Sequence, residues 1–132
     1  MIRLLIADDH AIVREGLKQL VSLTQGICVT AEAANGPETL KMIHSSDINM
    51  LLLDMNMPGL NGIDLIELVK HDRPELLIFV YSMYDNLQMA NNAFTAGASG
   101  YFTKSSDPRT LMAAIRKVYE GEQYLDPAIA RQ

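Results

Sequence analysis

Apolar residues along the chain fall into two rhythms. Five short runs, Ile2–Ala7, Ile27–Ala33, Met50–Leu53, Leu76–Tyr81 and Gly100–Phe102, are mostly unalternating, as expected of strands buried on both faces of a parallel sheet. Between them the spacing turns helical. Ile12, Leu17, Leu20 and Val21 are expected on one helix face. Near the end, Leu111, Ile115, Val118 and Tyr119 recur at i, i+4, i+7 and i+8. Start signals agree: Pro37 follows Gly36, Asn61 precedes Gly62, and Asp107 stands as an N-cap before Pro108. Gly97 and Gly121 are expected to stop the fourth and fifth helices. Asn86–Ala96 is a weak helix former, with Asn86, Asn91, Asn92 and Thr95. Five alternations of strand and helix predict a doubly wound α/β sandwich with right-handed crossovers.

The 132 residues suit one domain. Residues 1–121 are assigned to it. Residues 122–132 show no core-forming period and read as the start of a connecting segment. A hydrophobic fraction of 48% is ordinary for a globular chain. The formal charge of −5 argues against this segment itself gripping nucleic acid or an anionic membrane. The lone Cys28 excludes an internal disulfide, and between Ile27 and Val29 it is expected to be a buried strand thiol. No signal peptide and no run near the ~20 apolar residues of a membrane span are visible, so the expected location is the cytoplasm.

Doubly wound sheets carry their chemistry at the carboxyl ends of the strands. Asp8 and Asp9 follow the first run, Asp54 the third, Ser82 closes the fourth, and Lys104 lies just past the fifth. Taken singly, each has a plainer reading: Asp8 and Asp9 as helix caps, Asp54 as a turn residue before Pro58 and Gly59, Ser82 as a turn hydroxyl, Lys104 as a solvated charge. Their joint placement at one sheet edge favours a site. Three converging carboxylates repel one another unless a cation joins them. Mg²⁺ prefers a few carboxylate oxygens alongside water and phosphate. A carboxylate is also a nucleophile for phosphorus, with the metal and an ammonium neutralising the transferring oxygens. His10, in the polar turn beside the acids, is assigned no role, and His44 and His71 are expected at exposed helix ends.

Ile6-Ala-Asp-Asp-His10, Leu53-Asp-Met-Asn-Met-Pro-Gly59, Ser82 and Gly97-Ala-Ser-Gly-Tyr-Phe-Thr-Lys104 together resemble the receiver domain of two-component response regulators, over Ile2 to about Gly121. The resemblance implies a CheY-like or flavodoxin-like sheet of five parallel strands, order 2-1-3-4-5, with five helices. It implies phosphoryl acceptance at Asp54. Asp9, Asp54 and the backbone carbonyl of Asn56 would bind Mg²⁺, with Asp8 acting through metal-bound water. Ser82 would hydrogen-bond the phosphoryl group and Lys104 would pair with it. Tyr101 would be a switch aromatic that turns inward as Ser82 is drawn to the phosphate; core packing is its plainer reading. The protein would be a phosphoprotein rather than a turnover enzyme, its phosphodonor a histidine kinase. Met83, bulkier than the small residue often found after the serine, is expected to narrow access to Asp54.

Asp-Asp-His10 with Val13-Arg-Glu-Gly-Leu17, and the tail Gly121-Glu-Gln-Tyr-Leu-Asp-Pro127, look like the NarL/LuxR-type regulators. That likeness implies a helix-turn-helix DNA-binding domain beyond residue 132, contact with DNA only through it, and homodimerisation on phosphorylation. A stand-alone receiver acting through protein contacts is the alternative. An aspartyl-phosphate Mg²⁺ hydrolase of the haloacid-dehalogenase type is disfavoured: the position where it needs a second acid holds Asn56. A receiver-like module that is never phosphorylated fits poorly with the complete residue set, and flavodoxin-like cofactor binding lacks a Gly-rich phosphate loop.

Overall fold

The computed structural model describes residues 1–132. In chain order the elements are β1 (Ile2–Ala7), α1 (Ala11–Ser22), β2 (Ile27–Ala33), α2 (Gly36–Ser45), β3 (Met50–Leu53), α3 (Gly62–Asp72), β4 (Leu77–Ser82), α4 (Leu87–Ala96), β5 (Gly100–Thr103), α5 (Leu111–Tyr119), β6 (Tyr124–Leu125) and α6 (Pro127–Ala130). All strand pairings are parallel, in the order β2-β1-β3-β4-β5-β6.

Unbroken apolar strands serve two cores at once, because successive side chains point to opposite faces. Leu5, Leu51, Leu53, Ile78 and Val80 belong to one core with residues of α2, α3 and α4. Leu4, Ile6, Met50, Leu52 and Phe79 belong to the other, with residues of α1 and α5. No helix is long and apolar enough to cross a membrane.

The expected caps form where the sequence signals them. Asn61 accepts hydrogen bonds from the N–H groups of Ile63 and Asp64, Asn86 from Met89, and Asp107 from Arg109. Asn35, one residue before Gly36, caps α2 by accepting from Glu38. Asp107-Pro108 opens a 3₁₀ turn, Pro108–Thr110, that leads into α5. Gly97 and Gly121 follow their helices at φ +126° and +102°, a conformation that side chains with a Cβ disfavour.

Three details differ from the sequence reading. Ile12 is 84% exposed. It lies five residues from Leu17, roughly 140° around the helix, and Val13 takes the place expected for it against the core. Tyr119, at the margin of the α5 stripe, is also largely exposed. Cys28 is only half-buried on β2.

The largest difference is the tail. Tyr124–Ala130, expected to lack a place in the core, extends the predicted 2-1-3-4-5 sheet by a sixth strand and docks a short helix. Tyr124 stacks near Phe79 and Phe102, with ring centroids 6.1 and 6.4 Å away. Leu125 packs against the opposite core. Asp126 caps α6 by accepting from the Ala128 N–H, and its other oxygen accepts from the Thr103 N–H at 3.0 Å. Ile129 is fully buried. The Gln132 side chain reaches the β4–α4 loop, where it accepts from the Leu87 N–H at 3.0 Å and donates to the Asp85 carbonyl. A two-residue strand and a four-residue helix are too short to show a period, although Asp126-Pro127 repeats the start signal of Asp107-Pro108.

Ile129→Ala is therefore expected to destabilise the chain by about 2–4 kcal/mol in urea unfolding, the cost of emptying a closed core site. A tail loosely attached to the surface would leave the unfolding midpoint unchanged.

Candidate functional site: an acidic cluster at the sheet switch point

Chain order reverses between β1 and β3, which lie side by side but are connected in opposite directions to their other neighbours. Open sheets form a crevice at such a point. Asp8 and Asp54 stand one residue beyond these two strands. Sheet-type hydrogen bonds continue far enough to hold them there: the Asp8 N–H donates to Ala33 at 3.0 Å and the Asp54 N–H to Ala7 at 2.9 Å. On the next strands, the Lys104 N–H donates to the Ser82 carbonyl at 2.7 Å. Neighbouring parallel strands thus end in register and set the carboxylates, Lys104 and Ser82 at one edge.

The side chains converge as well. Lys104 Nζ lies 2.7 Å from Asp8 Oδ2 and 3.6 Å from Asp54 Oδ2, with the ammonium 5.6 Å from the Tyr81 ring centroid. Asp8 and Asp54 are only 2% and 4% exposed, while Asp9 is open to solvent. Donor atoms of Asp8, Asp9, His10 and Asp54 all lie within 4.8 Å of one another. One ammonium faces three carboxylates. The charge left over and the oxygen-rich donor set suit a divalent cation.

Burial raises the Asp54 carboxyl above its ordinary value. The Asn56 N–H, donating to Asp54 Oδ1 at 3.1 Å, and the Lys104 charge work against that rise, whereas Asp8 and Asp9 add to it. Asn56 itself is exposed in the turn after Asp54.

Ser82 is fully buried, and its Oγ accepts from the Tyr84 N–H at 3.0 Å. The Tyr101 ring is already inside the protein, fully buried, with its hydroxyl donating to the Tyr84 carbonyl at 2.8 Å. Burial raises its phenol, opposed by the nearby Ser82 hydroxyl. The inward position expected on phosphorylation is thus the one seen here. Met83 beside them is 74% exposed. Capping by Asp8 and Asp9 does not occur: the N-cap of α1 is His10, without a side-chain cap bond. Instead, Asp8 Oδ1 accepts from the His10 N–H at 2.8 Å.

Sequence reading missed three participants. His10, given no role, has Nδ1 3.1 Å from Asp9 Oδ1 and 3.3 Å from Asp8 Oδ1. Arg14 donates to the Asp8 carbonyl at 2.7 Å and pairs with Glu32 at 3.0 Å, bracing the β1–α1 turn. Its place four residues after His10, one helical turn on, was a usable signal. Tyr84 links Ser82 to Tyr101 through its own N–H and C=O, which no side-chain pattern announces. His44 and His71 are exposed helix-end residues, as expected, and both lie beside Asp72.

An open parallel sheet with an acidic cluster at its switch point is the arrangement of a receiver. The family model described as response regulator receiver domain matches residues 4–116, and the chain belongs to that family, in the NarL/LuxR group of two-component regulators. Response regulator UvrY of Escherichia coli K12 is 31% identical over all 132 residues, which cover 61% of that protein. The nitrate/nitrite response regulator protein NarL of the same strain is 34% identical over 126 residues, 96% of this chain and 58% of its own length. A solved two-component response regulator of the LuxR family from Aurantimonas sp. SI85-9A1 superimposes with a TM-score of 0.93 at 36% identity, covering 98% of this chain and 92% of that one. The chain thus spans about three fifths of its curated relatives' length.

The raised Asp54 carboxyl has a consequence for stability. A folded state that binds this proton more tightly than the unfolded chain is favoured at low pH, and the advantage is lost as pH rises through the folded-state value. Ionised Asp54 therefore destabilises the metal-free protein at neutral pH. Asp54→Asn is expected to melt higher than the parent at pH 7 in chelator, by about 3 °C or more, with the gap closing below about pH 4. An equal or lower melting point for the variant at pH 7 would contradict this.

Proposed function

We propose that this chain accepts a phosphoryl group on Asp54 and uses it to control an output domain beyond residue 132. The observation that carries the reading is the buried Asp54 carboxylate at the switch point, with the Lys104 ammonium 3.6 Å away and Asp8 and Asp9 beside it. An Asp54 oxygen forms the new O–P bond as the P–N bond to the donor imidazole of a histidine kinase breaks, and the imidazole leaves with that electron pair. Asp9, Asp54 and the Asn56 carbonyl would hold Mg²⁺, with Asp8 acting through its water. The metal, when bound, offsets charge on the transferring oxygens. Lys104 would exchange part of its contact with Asp8 for a phosphoryl oxygen. Ser82 would turn its hydroxyl from the Tyr84 N–H toward the same group, loosening the β4–α4 loop, while Tyr101 retains its inward position. A new dianionic group biases a loop in this way by recruiting donors.

The protein so read is a phosphoprotein with self-catalysed phosphoryl acceptance and slow loss, not a turnover enzyme. Its partners would be a kinase, a second copy on phosphorylation, and DNA through a helix-turn-helix domain. The tail motif and the greater length of the relatives support that output; action as a stand-alone receiver is the second reading.

Incubation with acetyl phosphate or phosphoramidate is expected to add one phosphoryl group in the presence of Mg²⁺, and none to Asp54→Asn, as read by intact mass. Labelling that survives in Asp54→Asn would displace Asp54 as the acceptor. Met83→Ala is expected to speed both labelling and decay a few-fold by widening access to Asp54, and unchanged rates would remove Met83 as a screen.

A further inference from the structure

We propose that Asp126 is a positioning residue for phosphoryl acceptance: from the C-terminal segment it fixes the end of β5 that carries Lys104, so the accepting site is incomplete without it. This rests on the reading that Asp54 accepts a phosphoryl group. The new element is a functional residue in a segment expected only to connect.

Asp126 is a buried acid, 2% exposed, outside the acidic cluster. Its two oxygens are divided between two backbone donors. Oδ1 accepts from the Ala128 N–H at 2.9 Å, and Oδ2 from the Thr103 N–H at 3.0 Å. Capping α6 needs only the first bond, which Asn or Ser supplies as well. Burying a full charge is costly, so a cap alone gives no reason for an acid here. Two donors facing one side chain do. A carboxylate offers an acceptor to each, whereas an amide turns its own NH₂ toward one of them.

The second bond lands where the site depends on it. Lys104 is the first residue past β5, and its ammonium reaches Asp8 at 2.7 Å and Asp54 at 3.6 Å. A lysine stem is long and flexible, so the resting place of the ammonium depends on where the strand ends. On the β4 side that end is held by the Lys104 N–H, which donates to the Ser82 carbonyl at 2.7 Å. On the other side β6 stops after Leu125, where Asp126-Pro127 turns the chain into α6. The Asp126 carboxylate there takes the place of a strand carbonyl for Thr103. Its own N–H donates to the Tyr101 carbonyl at 2.9 Å, so one residue grips β5 on both sides of Phe102. Thr103 is fully buried, and its N–H has no water to turn to when the carboxylate is removed.

Phosphoryl transfer is sensitive to such placement, because a cation slightly out of line with the transferring oxygens loses much of its effect. In Asp126→Asn the segment stays docked through β6 pairing and Ile129, and the amide oxygen still caps α6. Only the Thr103 bond is lost, leaving two donors face to face.

The test compares the 132-residue parent with Asp126→Asn and Asp126→Ser. Labelling by acetyl phosphate or phosphoramidate is followed by intact mass over a range of Mg²⁺, and amide hydrogen exchange is read residue by residue by NMR. Both variants are expected to label about tenfold more slowly, with the half-saturating Mg²⁺ held within about twofold. Their Thr103 and Lys104 amides are expected to exchange about tenfold faster, while those of β1 and β3 keep the protection of the parent. Lys104→Ala is expected to label slowly, and adding Asp126→Asn to it to change the rate by less than about twofold, since both changes act through one ammonium. Labelling of the variants at the parent rate, a further tenfold loss in the Lys104→Ala background, or faster exchange throughout the sheet overturns the proposal and leaves the phosphoryl-acceptor reading intact. A parent that takes no label from either donor overturns both.

Discussion

Three carboxylates meet one ammonium at the end of a parallel sheet, and the rest of the molecule holds that imbalance in place. Asp8 and Asp54 are almost wholly withdrawn from water, where like charges repel strongly and the charged form is disfavoured. Lys104 offsets part of the cost, at 2.7 Å from Asp8 and 3.6 Å from Asp54. The remainder leaves the site poised to take up positive charge. A softer scaffold would relieve the repulsion by letting the acids swing into solvent. Here Asp8 and Asp54 are each bonded through the backbone N–H to the adjacent strand, and those strands are buried on both faces.

The same stiffness extends away from the acids as a contiguous set of hydrogen bonds. Ser82 is bonded to the Tyr84 N–H, and the Tyr84 carbonyl to the Tyr101 hydroxyl. The next residues of that loop, Asp85 and Leu87, are held by the Gln132 side chain. On the other flank, Thr103, immediately before Lys104, donates its N–H to the buried Asp126. The C-terminal segment is therefore tied to both sides of the edge that carries the acidic cluster.

Inward packing of Tyr101 belongs to this picture. Its ring completes the core shared with α3, α4 and Ile129, so swinging it outward would open a hole there as well as break the bond to Tyr84. Core packing thus fixes the ring and, through the Tyr84 carbonyl, the β4–α4 loop together.

The sequence alone determined the strand-helix alternation, most caps and stops, and the edge at which Asp8, Asp9, Asp54, Ser82 and Lys104 gather, because periodicity and turn chemistry are local and a doubly wound sheet sends its strand ends to one side. It also carried the family, through the combination of loop motifs at the ends of β1, β3 and β5. Only the tertiary structure decided the rest. Ile12 and Val13 exchanged places because a helix's buried stripe is set by what lies beneath it. Tyr124 and Leu125 joined the sheet, and Ile129 the core, because strand pairing and the pocket for Ile129 come from residues far away in the chain. His10 became part of the acidic cluster because the distance between an imidazole and two carboxylates depends on how a turn closes, and no spacing along the chain encodes that closure.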